Sequence, residues 1–193
     1  GRQVSFPEFL VFQYMFFHYV EMCETLHKDV GLLKARSLGF SEMAASLAVR
    51  PFITTKNYRT VATAFSDGHL RPLLNKIWLQ LDWLNNETEG AFKRVRMVKN
   101  SDMYKRASKK LKDGTESGRM SEIEAIVADV PDKVRGDRVD RLFFEEFGSN
   151  KVAEKSYIQG QALVTVMGKK IGTRIAWGCV CAGTKVYTNS GKL

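Results

Sequence analysis

The chain has 193 residues, 44% of them hydrophobic and 26% charged, which is the balance of a globular domain with a core of its own. The longest apolar stretch, residues 6–20, is shorter than the roughly 20 residues of a membrane-spanning helix, so we expect neither a membrane span nor a secretory signal. The three cysteines, Cys23, Cys179 and Cys181, form no disulfide framework and no zinc pattern, which favours a reducing compartment.

The spacing of apolar residues predicts alternating helices and strands in the first half of the chain. Residues 8–27 are expected to form a buried helix, whose predicted apolar face contains Val11, Tyr14, Met15, His18 and Tyr19. A short apolar run predicts a strand over 30–35, and β-branched and aromatic residues predict another over 58–65. A helix is predicted after each strand, because apolar residues recur there at helical spacing. The first helix is predicted over 39–49, and the second has one apolar side formed by Leu70, Leu73, Leu74, Ile77, Leu81 and Leu84.

The second half begins with a polar, basic segment at 85–118 that has no clear period, and we expect a loop there. Strands are predicted around 122–128, 141–144 and 172–177, with a helix over 153–166. Strands that alternate with helices predict an α/β fold with a mainly parallel sheet flanked by helices. In such sheets, ligands bind beyond the carboxyl ends of the strands.

The stretch "KARSLGFS", residues 34–41, is similar to the phosphate-binding pattern G-x-x-x-x-G-K-[ST], with Phe40 in place of the usual lysine and Lys34 in place of the first glycine. Backbone N–H groups of such a loop hold phosphates, and the Lys34 and Arg36 side chains would add positive charge beside them. The Ser41 hydroxyl would bind Mg²⁺. The predicted nucleotide-binding residues are therefore Lys34, Ala35, Arg36, Ser37, Leu38, Gly39, Phe40 and Ser41. Taken alone this evidence is weak, because a strand, a glycine turn and a helix are ordinary α/β construction.

An apolar strand at 141–144 leads directly into two carboxylates, Glu145 and Glu146. Charge at the end of a buried strand is costly unless something pairs with it. An apolar strand that ends in an acid is the pattern of a Walker B strand, so Glu145 would hold Mg²⁺ and Glu146 would polarise the attacking water as general base. Many surface strands also end in glutamate, so the two acids indicate a nucleotide site only in combination with the loop at 34–41. The cofactors expected from both features are ATP and Mg²⁺.

Three stretches, "GLLKARSLGFSEMAASLA", "KVRGDRVDRLFFEEFGS" and "QALVTVMGKKIGTRIAWG", resemble the ATPase part of the large terminase subunit of tailed bacteriophages. That family commonly carries a deviant Walker A loop with the lysine at its beginning, as Lys34 is here. The resemblance covers residues 1–178 and implies an ASCE-type P-loop NTPase, with nucleotide contacts at Lys34, Arg36, Gly39 and Ser41. It also implies Glu145 as the Mg²⁺ acid, although aspartate is more usual there, and Glu146 as the catalytic carboxylate.

The same resemblance implies the biological setting. ATP hydrolysis would drive translocation and packaging of double-stranded viral DNA, in the cytoplasm of the bacterial host. The implied partners are the small terminase subunit and the portal of the procapsid, and the full motor would be a homo-oligomeric ring. Adenine would be contacted by Gln13 or Phe6. The nuclease part of the family does not follow in this chain, and we expect the ATPase fold to be incomplete at its C-terminus.

The segment "CVCAGTKVYTNSGKL", residues 179–193, resembles the first segment of an intein, with Thr184, Val186, Thr188 and Gly191 at matching positions. Cys179 would then be the splicing nucleophile that attacks the carbonyl of Gly178. The chain divides on this interpretation into a terminase-like ATPase domain at 1–178 and the start of an intein at 179–193. The alternative is that the cysteines are small packing residues followed by a hairpin. Later intein residues needed for splicing are absent, so we do not expect this chain to splice alone.

Nearly all of the net charge of +9 comes from residues 93–112, which carry nine lysines or arginines and one acid, against 21 basic and 20 acidic residues elsewhere. Such a segment suits a polyanion, and the predicted DNA-binding residues are Lys93, Arg94, Arg96, Lys105, Arg106, Lys109 and Lys110. A solvated surface loop is the alternative. Two other functions stay open: a helicase or recombination ATPase, although these usually keep a lysine beside the loop hydroxyl, and a non-catalytic basic DNA-binding module.

Overall fold

The computed structural model describes residues 8–35, 38–92 and 97–179, and the backbone of two short strands at 187–188 and 191–192. Several predicted site residues lie outside these ranges: Arg36, Ser37, Lys93, Arg94 and Arg96. Phe6 and most of the intein-like segment also lie outside them. No helix within the described ranges is long and apolar enough to cross a bilayer.

Helices and strands alternate along the described chain. The helices are α1 (Val11–Thr25), α2 (Phe40–Thr54), α3 (Asp67–Glu87) and α4 (Ala153–Gln159), with short 3₁₀ turns at 131–133, 147–149 and 162–164. The strands are β1 (Val30–Lys34), β2 (Arg59–Ala64), β3 (Lys99–Asn100), β4 (Tyr104–Lys110), β5 (Glu116–Val127), β6 (Arg141–Phe144), β7 (Thr165–Val166), β8 (Lys169–Lys170), β9 (Thr173–Cys179), β10 (Tyr187–Thr188) and β11 (Gly191–Lys192).

The main sheet has seven strands in the order β1-β9-β6-β2-β5-β4-β3. The first five are parallel to one another, and β4 and β3 extend the sheet in antiparallel pairing. The prediction of a mainly parallel sheet flanked by helices is therefore confirmed. Since β9 is the last of these strands in the chain yet lies between β1 and β6, the end of the described domain is brought to the centre of the candidate site.

Side chains of the parallel strands alternate between two buried faces, as strand geometry requires. Ala62 and Phe143 belong to the larger core, which α1, α2 and α3 cover. Val61, Leu142 and Phe144 belong to a second core on the opposite face, against the 3₁₀ turn at 162–164 and the half-buried Tyr157 of α4. Burial on both faces explains why β6 is an unbroken apolar run.

An aromatic row inside the larger core links α1 and α2 to the sheet. The ring centroids of Phe16 and Phe40 are 4.9 Å apart, those of Phe40 and Trp177 are 5.2 Å apart, and those of Trp177 and Phe143 are 5.3 Å apart. Buried aromatic pairs at these separations add to the stabilisation from apolar burial. The row fixes the first turn of α2 close to the ends of β9 and β6.

The buried face predicted for the first helix is wrong, although the helix itself is present. Val11, Tyr14 and Met15 are 77%, 72% and 66% exposed, and Tyr19 and His18 are also exposed. The core contacts come instead from Phe16, Val20 and Cys23. Apolar residues occupy several sides of α1, so periodicity alone does not select the side that packs on Phe40.

The loop predicted at 85–118 is also wrong over most of its length, because α3 runs on to Glu87 and the segment then forms β3, β4 and the start of β5. Lys105 is buried in β4, its ammonium lies 4.5 Å from the ring centroid of Trp78, and it donates to Asn100. Lysine counts as polar in the sequence although its stem is buried here. It therefore obscures the alternation of apolar and polar residues that would indicate a strand. The helix predicted over 153–166 ends at Gln159, before Leu163 and Val164 enter the second core.

Candidate nucleotide site

The candidate site lies where three neighbouring parallel strands end. Lys34 closes β1 and is the direct partner of Cys179 at the end of β9, while β6 on the other side of β9 ends at Phe144. The next residue, Glu145, donates its backbone N–H to the carbonyl of Thr63 at 2.8 Å and so prolongs the pairing with β2. Parallel pairing therefore brings residues 34, 145 and 179, which are far apart in the sequence, to one edge of the sheet.

Lys34 contacts both Glu146 and Cys179. Its Nζ lies 3.3 Å from Glu146 Oε1 and 3.2 Å from Cys179 Sγ, and only 11% of its side chain is exposed. Partial burial by itself lowers the pKa of Lys34, but the hydrogen bond to Cys179 and the charge of Glu146 outweigh it, so the pKa is raised above its usual value. Lys34 is therefore a fixed positive charge at neutral pH.

Glu146 has a left-handed backbone, with φ 47° and ψ 48°. This conformation is uncommon for a residue other than glycine and costs on the order of 1 kcal/mol or more. It ends the extended path of β6 and starts the 3₁₀ turn at 147–149. The turn keeps Glu146 at the same edge as Glu145, close enough for its charge to act on the Glu145 carboxyl.

Glu145 is a buried acid with an unsatisfied oxygen. Its residue is only 7% exposed, and its Oε2 has no hydrogen-bond partner among the described residues. Burial raises the pKa of Glu145 to about 7, and the charge of Glu146 adds to the shift. The nearby indole N–H of Trp177 favours the charged form of Glu145, but it makes no hydrogen bond of good geometry with a described residue. A buried carboxylate oxygen with nothing to accept from suits a hard divalent cation such as Mg²⁺.

The first turn of α2 faces the same edge. Gly39, with φ 69°, precedes the helix, and its carbonyl accepts from the N–H groups of Glu42 and Met43. The N–H groups of Phe40 and Ser41 have no acceptor within the helix, because the first turn of any helix lacks one. These donors and the positive end of the helix dipole make an anion site.

Within the loop, the predicted residues do not all contribute in the same way. The Phe40 side chain is buried in the aromatic row, so only its backbone N–H can reach a ligand, and no side chain replaces the usual lysine at this position. Ala35 and Leu38 are exposed, and Ser41 is half-buried. Gln13 of α1 also reaches the loop, since its Nε2 lies 3.8 Å from where a Cβ on Gly39 would be.

The structure divides the predicted DNA-binding residues into two groups. Lys105 is buried as described above, and Arg106 is paired with Glu116 and Glu122, so neither side chain is free to meet a phosphate. For these two residues the predicted role does not fit their surroundings. Lys109 and Lys110 are exposed at the end of β4, and Lys112, which was counted in the basic segment but not singled out, is exposed in the turn beyond them.

The position predicted as a splicing nucleophile lies inside this candidate site. Gly178 and Cys179 are paired with Leu33 and Lys34 in the sheet, so the peptide bond between them belongs to a regular strand. Beyond Cys179 the described backbone contains only the antiparallel pair of β10 and β11. That pair suits both an intein start and a simple hairpin, and the intein stays a prediction.

A cavity of about 750 Å³ lies between α1 and α2, away from these groups. It is lined by Tyr58, which immediately precedes β2, and by Arg141, the first residue of β6. It therefore opens at the amino ends of the parallel strands, whereas ligands of such sheets bind at the carboxyl ends. The predicted nucleotide-binding groups Lys34, Glu145 and Glu146 lie at the carboxyl edge, away from this cavity.

No protein-family profile and no curated protein matches the chain in sequence. Among solved structures it is similar to the large terminase ATPase domain of Thermus phage P74-26, with a TM-score of 0.58 and 16% identity over 79% of this chain. It is also similar to the large terminases of bacteriophage HK97 (TM-score 0.62, 13% identity, 89% of this chain) and of a thermophilic bacteriophage (0.57, 15%, 90%). The chain shares the mainly parallel α/β fold of these domains, and at such low identity the likeness concerns the fold alone.

The chain spans only part of each of these proteins. It covers 59% of the P74-26 ATPase domain, 33% of the HK97 terminase and 39% of the terminase from the thermophilic phage.

Proposed function

We propose that this chain is the ATPase motor domain of a phage large terminase subunit, which couples ATP hydrolysis to the movement of double-stranded DNA. One observation carries the proposal. The ion pair of Lys34 with Glu146 lies beside the buried, unsatisfied Glu145 at the carboxyl edge of a parallel sheet. The same edge holds the first turn of α2, so a cation, two acids and helix N–H donors converge where a Mg²⁺-nucleotide would bind.

Each group has a distinct task in this proposal. Lys34 and the N–H groups of Phe40 and Ser41 would hold the phosphates, together with the exposed loop residues Ala35, Leu38 and Gly39. Arg36 and Ser37, outside the described ranges, stay part of the predicted loop. Glu145 and the Ser41 hydroxyl would hold Mg²⁺, which when bound neutralises charge on the phosphates.

The contact between Lys34 and Glu146 favours a mechanism in which nucleotide binds before Glu146 accepts a proton. These two side chains lie 3.3 Å apart, which leaves no space for a triphosphate between them. A triphosphate carries more negative charge than one carboxylate and would draw Lys34 away from it. Glu146 would then accept a proton from water only after nucleotide has displaced Lys34 from it.

The motor context extends the proposal to partners. Double-stranded DNA would be the substrate that is moved, with the small terminase subunit, the portal and the procapsid as further partners in a ring assembly. The setting would be the cytoplasm of the bacterial host. Lys109, Lys110 and Lys112 at the β4–β5 hairpin are exposed cations close together in the chain, which suits contact with a phosphate backbone.

Binding of a fluorescent, non-hydrolysable ATP analogue tests the nucleotide part. We expect Mg²⁺-dependent binding that weakens at least tenfold in Lys34→Ala, since a charge-assisted contact to phosphate is lost. The matched control is Lys56→Ala, which removes an exposed lysine just after α2 and should bind as the wild type does. Equal binding by all three proteins would contradict the proposed site.

DNA binding separates the alternatives. A packaging motor should bind duplex DNA with steep salt dependence, and the double change Lys109→Ala with Lys110→Ala should reduce the slope by about two phosphate contacts. Preference for single strands would favour a helicase-like ATPase. Duplex binding with no effect of nucleotide on the melting temperature would favour a non-catalytic DNA-binding module.

A further inference from the structure

Cys179 contacts both charged groups of the Lys34–Glu146 pair. Its Sγ accepts from Lys34 Nζ at 3.2 Å, and it lies 3.7 Å from Glu146 Oε1, to which the thiol donates. With the direct contact of Lys34 and Glu146 at 3.3 Å, the three side chains close a triangle. A thiol is both a weak donor and a weak acceptor, so it can satisfy a cation and an anion at once.

The backbone holds the thiol at this place. Cys179 is the register partner of Lys34 in the β1–β9 ladder, which sets the separation of their side chains. The end of β9 also rests on the turn that follows Glu146, because a Cβ on Gly178 would lie only 3.0 Å from the backbone nitrogen of Gly148. Cys179 is therefore fixed with respect to β1 on one side and to the Glu146 turn on the other.

We propose that Cys179 is a positioning residue of the nucleotide site, which orients the Lys34 ammonium and the Glu146 carboxylate relative to each other. The proposal rests on the proposed function and adds a residue to its site. When nucleotide separates Lys34 from Glu146, each side chain keeps its own contact with the thiol, so neither swings freely. If the segment from 179 onward is the start of an intein, this role belongs to the unspliced chain, because splicing would remove Cys179.

The first test measures the alkylation rate of Cys179 by iodoacetamide, in a Cys181→Ser background so that only the buried Cys23 and Cys179 remain. The reagent attacks the thiolate, which a neighbouring ammonium favours and a neighbouring carboxylate disfavours. Lys34→Met should slow the reaction at Cys179 several-fold, and Glu146→Gln should speed it up. Identical rates in the three proteins would overturn the triangle, whether or not nucleotide binds.

The second test compares Cys179→Ser with Cys179→Val for affinity towards the Mg²⁺-bound ATP analogue. Valine removes the polar contacts, and we expect about a tenfold loss, the value of a hydrogen bond to a charged group. Serine keeps a donor and an acceptor and should lose clearly less. Melting temperatures of both variants show whether either change simply damages the fold.

The outcomes separate the two proposals. Wild-type affinity in Cys179→Val, or equal losses in the serine and valine variants, would overturn the positioning role. If the wild-type protein binds no nucleotide, the proposed function fails, and the alkylation rates still decide whether Cys179 holds Lys34 and Glu146 as described.

Discussion

The change Glu145→Gln should stabilise the metal-free protein at neutral pH, although it removes a proposed Mg²⁺ ligand. Glu145 has a pKa of about 7 in the folded protein, because it is buried beside Glu146, against a usual value of 4.5. Below pH 4.5 the carboxyl is neutral in both states and costs nothing. As the pH rises towards 7, only the unfolded chain gains the charge, so the folded state loses stability.

The size of this effect follows from the pKa difference. A difference of about 2.5 pKa units corresponds to about 3 kcal/mol at pH 8, and to under about 1 kcal/mol at pH 5. Glutamine has nearly the shape of the protonated acid and cannot ionise. We therefore expect Glu145→Gln to be about 3 kcal/mol more stable than the wild type at pH 8 and nearly equal to it at pH 5.

Urea unfolding at both pH values, in buffer without divalent cations, measures the difference directly. Glu154→Gln is the matched control, since Glu154 is exposed on α4 and its loss should change stability little at either pH. A gain of the same size at pH 5 and pH 8 would show that charge burial is not its cause. No gain at pH 8 would refute the description of Glu145 as a buried acid with an unsatisfied oxygen.

Three further predictions concern the candidate site and the strands that carry it. Glu146→Gln should still bind the Mg²⁺-bound ATP analogue while ATP turnover falls about 10²–10⁴-fold, because the general base is lost; unchanged turnover would exclude Glu146 from that role. Asp29→Asn should lower the free energy of unfolding by about 2–4 kcal/mol in urea, because Asp29, just before β1, pairs with Arg174 of β9 at 2.6 Å and with Lys170 of β8 at 2.5 Å. Burial alone would raise the pKa of Asp29, but hydrogen bonds from Arg174 and Lys170 lower it, so this contribution should be present above the unfolded pKa near 3.9 and disappear as the pH falls through the lower folded value. Gly178→Ala should disturb the Glu146 turn and reduce turnover, whereas Gly31→Ala, with nothing within 4 Å of the added Cβ, should leave turnover unchanged; equal activity of the two variants would contradict the close contact with Gly148.

Prediction from the sequence succeeded where the apolar residues and the neighbouring charged residues indicate the same structural element. The apolar residues 142–144 of β6 predicted a buried strand, and the acids after it marked the carboxyl edge of the sheet. The helix predicted over 39–49 is present as α2, and the apolar residues at helical spacing in it, Phe40, Met43, Ala44 and Leu47, are buried. Parallel strands then required Lys34 and the acids to lie at the same end.

Strand order was not readable from local patterns, and it decides the composition of the site. Because β9 inserts between β1 and β6, Cys179 reaches Lys34 and Glu146, and no spacing in the sequence indicates that insertion. Two other misses have local causes. The several apolar sides of α1 concealed which of them packs on Phe40, and the buried stem of Lys105 concealed the alternation of β4.

Hydrogen exchange of the wild-type protein, with and without a Mg²⁺-bound non-hydrolysable ATP analogue, tests the nucleotide site most directly. The account predicts slower exchange at 38–41 and at 145–148, and no change around Tyr58 and Arg141 at the opposite end of the strands. Protection confined to that opposite end, or no protection anywhere at saturating analogue, would contradict it.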